Sequence, residues 1–376
     1  MTKLHQVLEH GQSIWLDHIR RSLLTSGELE RLIEQGVRGM TSNPAIFDEA
    51  ISHSDDYNDQ LKQVAGQEHS NQAVYEALAI DDIQHAADLF RPVYDEMMPV
   101  DGMVQNSDLD GFVSLEADPH LAHDTQGTID EIHRLHQQVD RPNVMFKVPA
   151  TPAGIPAIKQ LTSDGININI TLMFSVKHYH LVTDAWLSGL EARARRDEPI
   201  TGIASVASFF VSRIDNKLDP QLESIGMDHL RGTIGVANAK KVYQQFTKVF
   251  SSARWKRLAR QGVHAQRVLW GSTSTKNPDY PDTMYVDNLI GPQTVNTVPP
   301  PTLDAFLDHG TVERTVDRKL TGSLRQLEQL AKANLDLIAV GDELQEEGVK
   351  RFADAFDALL ESIAHQRETV SAYASD

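Results

Sequence analysis

The run Ile166-Asn167-Ile168-Asn169-Ile170-Thr171-Leu172 alternates without a break, with large aliphatics at even positions and amide or hydroxyl side chains at odd ones. A period of two marks a β-strand with one face in an apolar layer and the other in polar surroundings. Val113-Ser114-Leu115-Glu116-Ala117 repeats the pattern, with Ser114 and Glu116 on one side. Near the start, residues 14–17 and 37–41 read as strands. Between them, Thr25-Ser26-Gly27-Glu28 has the spacing of a capping box for a helix that Gly36 closes. Strand, helix and strand in about 30 residues make a βαβ unit, with parallel strands and a right-handed crossover. Further strands are predicted at 111–117, 143–149, 166–173, 200–210, 267–272 and 284–289, eight in all, with helix-compatible segments between them.

Eight strands in βα alternation fit a closed (β/α)8 barrel or a long doubly wound sheet. Helices cover the outer faces of a parallel sheet, so the aliphatic faces meet them and the polar faces of the third and fifth strands point into a lumen. Lumens are ordinarily filled with branched aliphatics, so polar side chains near the C-terminal strand ends mark an active site. A half-exposed antiparallel sheet is the competing reading, and the intervening helices disfavour it. The expectation is an α/β protein, a single-domain (β/α)8 TIM barrel over residues 1–376, with a basic helical insertion at about 215–266 and an amphipathic helix at about 343–370. In that last segment Val349, Phe352, Phe356, Leu359 and Ile363 fall at helical spacing, predicting a structural helix packed on the outside of the barrel.

Fifty-three acidic against 35 basic residues leave a formal charge of −18, which disfavours nucleic acid and anionic membrane surfaces as partners. The absence of cysteine excludes disulfides, thiolate metal sites and a cysteine nucleophile. The opening MTKLHQVLEHGQSIW lacks the apolar stretch of a signal peptide, and no long apolar run follows, which predicts a soluble, cytoplasmic protein. Exposed helices are compatible with a homodimer. From Lys240 to Arg267 there are eight Lys/Arg and no Asp/Glu. This stretch reads either as an electropositive wall for a phosphorylated metabolite or as a solvated helix pair balancing acidic neighbours. Dinucleotide, P-loop, HExxH and EF-hand signatures are missing.

Lys147 lies between Phe146 and Val148 in an apolar strand closed by Pro149. Burying an ammonium there is costly, and a neutral amine is what attack on a carbonyl requires. A Schiff-base nucleophile and a lysine that snorkels from a strand end both fit. Glu116 ends the third strand, Asp17 the first, and Asn169 and Thr171 lie on the polar face of the fifth, so carboxylates, an amide and a hydroxyl are brought toward one barrel mouth. Schiff-base chemistry needs such a set to move protons through a carbinolamine and to take one from a substrate hydroxyl. Read singly, each has a structural alternative as a cap, surface pair or turn residue. Ser205–Arg213 on the sixth strand and Trp270–Asn277 on the seventh end in hydroxyls and a cation, the composition of barrel phosphate sites. The histidine pairs His120/His123, His133/His136 and His178/His180 lack a carboxylate at a recognised catalytic spacing, so the metal reading has no signature and no metal is expected.

In these residues the chain resembles the transaldolases. The likeness is carried by Trp15-Leu-Asp17, Gly39-Met-Thr-Ser-Asn-Pro-Ala-Ile-Phe47, Val113-Ser-Leu-Glu116, the segments 143–151 and 165–175, and Ser205 through Asp215. It covers nearly the whole chain in order, and is nearest the longer bacterial branch, with its SVASFFVSR on the sixth strand and a lysine-containing STxxKN on the seventh. The resemblance implies a class I aldolase barrel that transfers a dihydroxyacetone unit between phosphorylated sugars in the pentose phosphate pathway, with no cofactor. It implies Lys147 as Schiff-base lysine, Asp17 as base toward the C4 hydroxyl, and Glu116 with a water held by Thr171 as proton shuttle. Asn43 and Asn169 would hold the dihydroxyacetone portion, and Ser208 and Arg213 the phosphate. Lys276 would stand where the shorter transaldolases carry an arginine, with Phe210, Ser272 and Asn277 lining the same pocket.

Overall fold

The computed structural model describes residues 2–64, 70–97 and 109–373. Eight parallel strands, β1 (Gln12–Asp17), β2 (Val37–Thr41), β3 (Phe112–Glu116), β4 (Val144–Pro149), β5 (Ile168–Met173), β6 (Ser205–Phe210), β7 (Arg267–Gly271) and β8 (Thr294–Val298), follow one another around a closed barrel in which β8 pairs with β1. Helices separate the strands, giving the expected (β/α)8 barrel. The eighth strand is not where the apolar pattern put it. Residues 284–289 begin with a short helix, Met284–Asp287, and β8 is the following Thr-Val-Asn-Thr-Val run. Three of those five side chains are polar, so a search for aliphatic stretches passes over it. The helix Glu28–Gln35 is closed by Gly36 at φ 115°, but its N-cap is Gly27 and Thr25 ends a separate short helix, so the capping box is not made.

Alternation sorts side chains as expected. Val113, Leu115, Ile168 and Ile170 sit in the layer between barrel and helices. Trp15, Phe112, Met145, Val206, Leu269 and Val295 form a separate buried cluster drawn from six strands, filling the lower lumen. Gly39 admits the Trp15 ring, since a Cβ there would lie 2.6 Å from it. At the base, Arg267 on β7 donates to Asp110 at 3.1 Å and to Ser13 on β1, and Trp15 Nε1 donates to Asp110 at 3.0 Å. β7 and β1 are not sheet neighbours, so these bonds cross the interior. A buried carboxylate is tolerated there because it is paired and hydrogen-bonded.

Two cations of the basic stretch pair with acidic side chains and a third meets a backbone carbonyl. Arg254 pairs with Asp184 at 2.6 Å and Glu191 at 2.8 Å, Lys240 donates to the Arg318 carbonyl, and Arg267 is the barrel-base residue. Beyond β6, the helix Ser212–Ser224 is tied to the start of the helix Ile234–Val249 by buried carboxylates. Asp215 accepts from Gly235 N and the Tyr285 hydroxyl, both at 2.9 Å, and Asp219 accepts from Gly232 N and the Tyr280 hydroxyl. Gly235 permits the approach, because a Cβ would meet Asp215 Oδ2 at 2.7 Å.

The C-terminal helix departs most from expectation. It runs Leu337–Tyr373; its first half crosses the C-terminal mouth of the barrel, while further along Phe356 and Arg367 meet Tyr75 and Asn71 of the outer helix Asn71–Met97. Gln345 Nε2 donates to the Ala150 and Leu172 carbonyls, at the ends of β4 and β5, at 2.9 and 3.0 Å. On the same face Gly348 lies against Leu172 and Gly341 against Ser175. Hydropathy finds the apolar stripe of such a helix but not which surface receives it. Among the described residues no helix is long and apolar enough to cross a membrane.

Burial, reinforced by Asp219, pushes the Asp215 carboxyl up to about 7. The folded chain therefore binds this proton more tightly than the unfolded one, and stability falls as pH rises from the ordinary carboxylate range through about 7. Asp215→Asn is expected to flatten the fall in Tm between about pH 5 and 8. Parallel Tm profiles for the two proteins would contradict this.

Candidate active site

Strand register assembles the site. Asp17 pairs laterally with Thr41 and Thr41 with Ser114; at the same end Glu116 pairs with Lys147 and Lys147 with Asn169. Five consecutive strands thus bring inward-facing polar residues to the C-terminal end of the barrel in two adjoining rows, above the apolar plug. Their common opening is a cavity of about 1080 Å³ at the C-terminal end, lined by Asp17, Asn43, Lys147, Asn169, Thr171, Ser208, Phe210, Arg213, Ser272 and Lys276 among others. Asn277 is not among its lining residues.

Lys147 is 7% exposed, and its Nζ donates to the Ser42 carbonyl at 2.6 Å and approaches Glu116 Oε2 at 3.4 Å. Glu116 is nearly buried and borders small spaces behind Lys147 instead of the main cavity, so it reaches the cavity through the lysine. Burial pushes its carboxyl up, partly offset by the Lys147 charge. Asp17 accepts from the Thr41 hydroxyl at 2.6 Å, and Thr41 lies 2.7 Å from Thr297 Oγ1 on β8. That chain fixes the carboxylate's rotamer while leaving lone pairs toward the cavity.

Asn169 is held from both sides. Its Nδ2 donates to Ser114 Oγ at 3.0 Å and its Oδ1 accepts from Ser208 Oγ at 2.6 Å. Ser208 thus commits its proton to orienting Asn169, deep in the barrel, although the resemblance assigns it to phosphate. Thr171 Oγ1 is buried, lines the cavity and has no hydrogen-bond partner among the described residues. Asn43 caps the helix Pro44–Ser52 through Oδ1, which accepts from Ile46 N at 3.1 Å. The cap turns the chain so that this side chain borders the cavity.

Cations occupy the part of the cavity formed by the loops after β6 and β7 and by the C-terminal helix. Arg213 lies over the Phe210 ring at 5.2 Å, beside a Ser212–Ser272 hydroxyl contact of 2.9 Å, and Lys276 projects from the loop after β7. Arg351 and Phe352 of the C-terminal helix complete the wall. Neither was singled out as a site residue from sequence, nor were Ser42, Thr41 and Thr297. Thr297 lies on the misplaced strand, Ser42 acts through its backbone carbonyl, and Arg351 flanks an apolar stripe read as packing. In each histidine pair at least one ring turns to a carboxylate, His120 to Asp118, His133 to Asp164 and His178 to Asp342.

An amine, two carboxylates and an oriented amide below a cationic rim, at the C-terminal mouth of a (β/α)8 barrel, make a set able to form an imine with a carbonyl compound and to move protons around it, the chemistry of the aldolase class of barrels. The chain belongs to the Transaldolase/Fructose-6-phosphate aldolase family, whose model matches residues 14–363. It is 42% identical over 375 residues to "Transaldolase 2" of Nostoc sp., covering 96% of each chain. It is also 43% identical over 368 residues to the "Transaldolase" of Saccharopolyspora erythraea, covering 97% of this chain and 98% of that one.

Gln345 holds two carbonyls beside the catalytic mouth. Gln345→Ala strands both acceptors and is expected to cost about 1–3 kcal/mol of stability, read as a lower urea midpoint. An unchanged midpoint would mean that the helix is seated by other contacts.

Proposed function

We infer that the protein is a transaldolase, transferring a dihydroxyacetone unit from sedoheptulose 7-phosphate or fructose 6-phosphate to an aldose phosphate through a lysine Schiff base, in the cytoplasmic pentose phosphate pathway. The observation that carries this reading is a buried Lys147 amine, in contact with Glu116, sharing a cavity with Asp17 and an unpaired cationic rim. Near-full-length similarity to proteins named transaldolase supports the choice of reaction.

Lys147 Nζ attacks the C2 carbonyl of the ketose phosphate. Glu116, whose carboxyl burial pushes up, takes the amine's proton and returns it to the carbinolamine oxygen, which leaves as water. Thr171 offers its uncommitted hydroxyl to a water on that path. Asp17 then takes the C4 hydroxyl proton, the C3–C4 bond breaks, and its electron pair enters the iminium to give an enamine on Lys147 while the aldose phosphate departs. Asn169 and Asn43 hold the three-carbon hydroxyls, with Ser208 fixing Asn169, so the enamine persists until an acceptor aldehyde adds and the steps reverse. Arg213 and Lys276 bind the phosphate, Lys276 as a point charge without a bidentate fork. Phe210 backs the Arg213 guanidinium.

Acceptor dependence separates the two activities in the family's name. Sustained release of glyceraldehyde 3-phosphate from fructose 6-phosphate is expected only when erythrose 4-phosphate is present. Equal sustained release without it, with free dihydroxyacetone accumulating, would identify an aldolase. Asp17→Asn is expected to slow single-turnover cleavage by about 10²–10⁴-fold. An unchanged cleavage rate would remove Asp17 from its role.

A further inference from the structure

Three cations border the cavity, Arg213 from the helix after β6, Lys276 from the loop after β7 and Arg351 from the C-terminal helix. Among the described residues none of the three makes a hydrogen bond or ion pair, although the chain carries 53 acidic residues and most of its arginines are engaged. Two carboxylates close to them are already engaged. Glu347, one turn before Arg351, is bound by Lys217, and Asp282 at the rim pairs with His309 at 2.8 Å. Arg351 and Arg213 are close enough to repel: burial and the Arg351 charge both push the Arg213 guanidinium down. Two guanidiniums facing one cavity without an anion between them are unfavourable until a multiply charged anion arrives, and then each contributes charge-assisted hydrogen bonds.

Resting on the sugar-phosphate reading above, we propose that Arg351 is a substrate-binding residue that closes over the phosphate opposite Arg213, so that the C-terminal helix sets the preference for phosphorylated over unphosphorylated sugars. Lys276 alone lacks the planar fork that grips two phosphate oxygens. Arg351 supplies that fork from another element, on a helix anchored to the ends of β4 and β5 by Gln345. The helix is thereby a wall of the site as well as a brace.

The test compares wild type, Arg351→Gln, Arg351→Lys and Lys350→Gln. Lys350 is the adjacent residue, paired with Asp354 at 2.6 Å and absent from the cavity wall, so it controls for net charge. Arg351→Gln is expected to lower the kcat/KM ratio of glyceraldehyde 3-phosphate over glyceraldehyde as acceptor by about tenfold, through KM. It is also expected to weaken inorganic phosphate, measured by calorimetry, by a similar factor, with Arg351→Lys recovering part of both and Lys350→Gln changing neither. An unchanged ratio and phosphate affinity in Arg351→Gln would overturn the proposal. So would equal losses on both acceptors with Lys no better than Gln, since that is the pattern of a purely structural residue. The phosphate titration decides the point even for a wild type that transfers no dihydroxyacetone, in which case the functional reading fails separately.

Discussion

A closed barrel has one interior, and the side chains that fill it at each height decide what its two ends can do. Here the lower half is sealed by Arg267, Asp110 and Ser13, then by a plug headed by Trp15, for which Gly39 makes room. Above that plug the third, fourth and fifth strands turn Ser114, Glu116, Lys147, Asn169 and Thr171 inward. Ser114, Asn169 and Ser208 hold one another in place there through side-chain hydrogen bonds. Lys147 is the focus: 7% exposed, held by a backbone carbonyl, with its nearest carboxylate also largely out of water. Low effective dielectric makes each of these charges matter to its neighbour more than it would at the surface.

The site draws on more than the barrel. The helix Leu337–Tyr373 lies across the mouth, tied by Gln345 to two strand ends and fitted through Gly341 and Gly348. Leu172, beside Thr171, has φ 59°, and its carbonyl is one of the two to which Gln345 donates. A residue far along the chain thus fixes the backbone next to the Thr171 hydroxyl in the cavity wall. Behind β6, Asp215 and Asp219 do comparable work for the helix that carries Arg213, with tyrosine hydroxyls and glycine N–H groups in place of basic partners.

Much of this was legible in the chain. The alternation in 166–172 and 113–117 states both the strands and which faces turn inward, because in a parallel sheet under helices only a lumen can receive polar side chains. Glu116, Asn169 and Thr171 follow from strand parity, Lys147 and Asp17 from their places at strand ends, and the roles of all five only from the family resemblance. What parity does not state is distance along the strand, so Glu116 was expected at the mouth and stands behind the lysine. β8 was missed because inward threonine and asparagine side chains depress its apolar signal. The C-terminal helix was recognised as amphipathic, but an apolar stripe does not name the surface that covers it, and Arg351 was invisible for that reason. Arg254 and Arg267 of the basic stretch meet Asp184, Glu191 and Asp110 only through tertiary contacts.

The most direct measurement is borohydride reduction of the protein in the presence of fructose 6-phosphate, followed by peptide mass spectrometry. A stable three-carbon adduct on Lys147 is predicted, since the enamine and its iminium retain the dihydroxyacetone unit after the aldose phosphate has left. No adduct on folded protein, or an adduct confined to another lysine, would contradict the account.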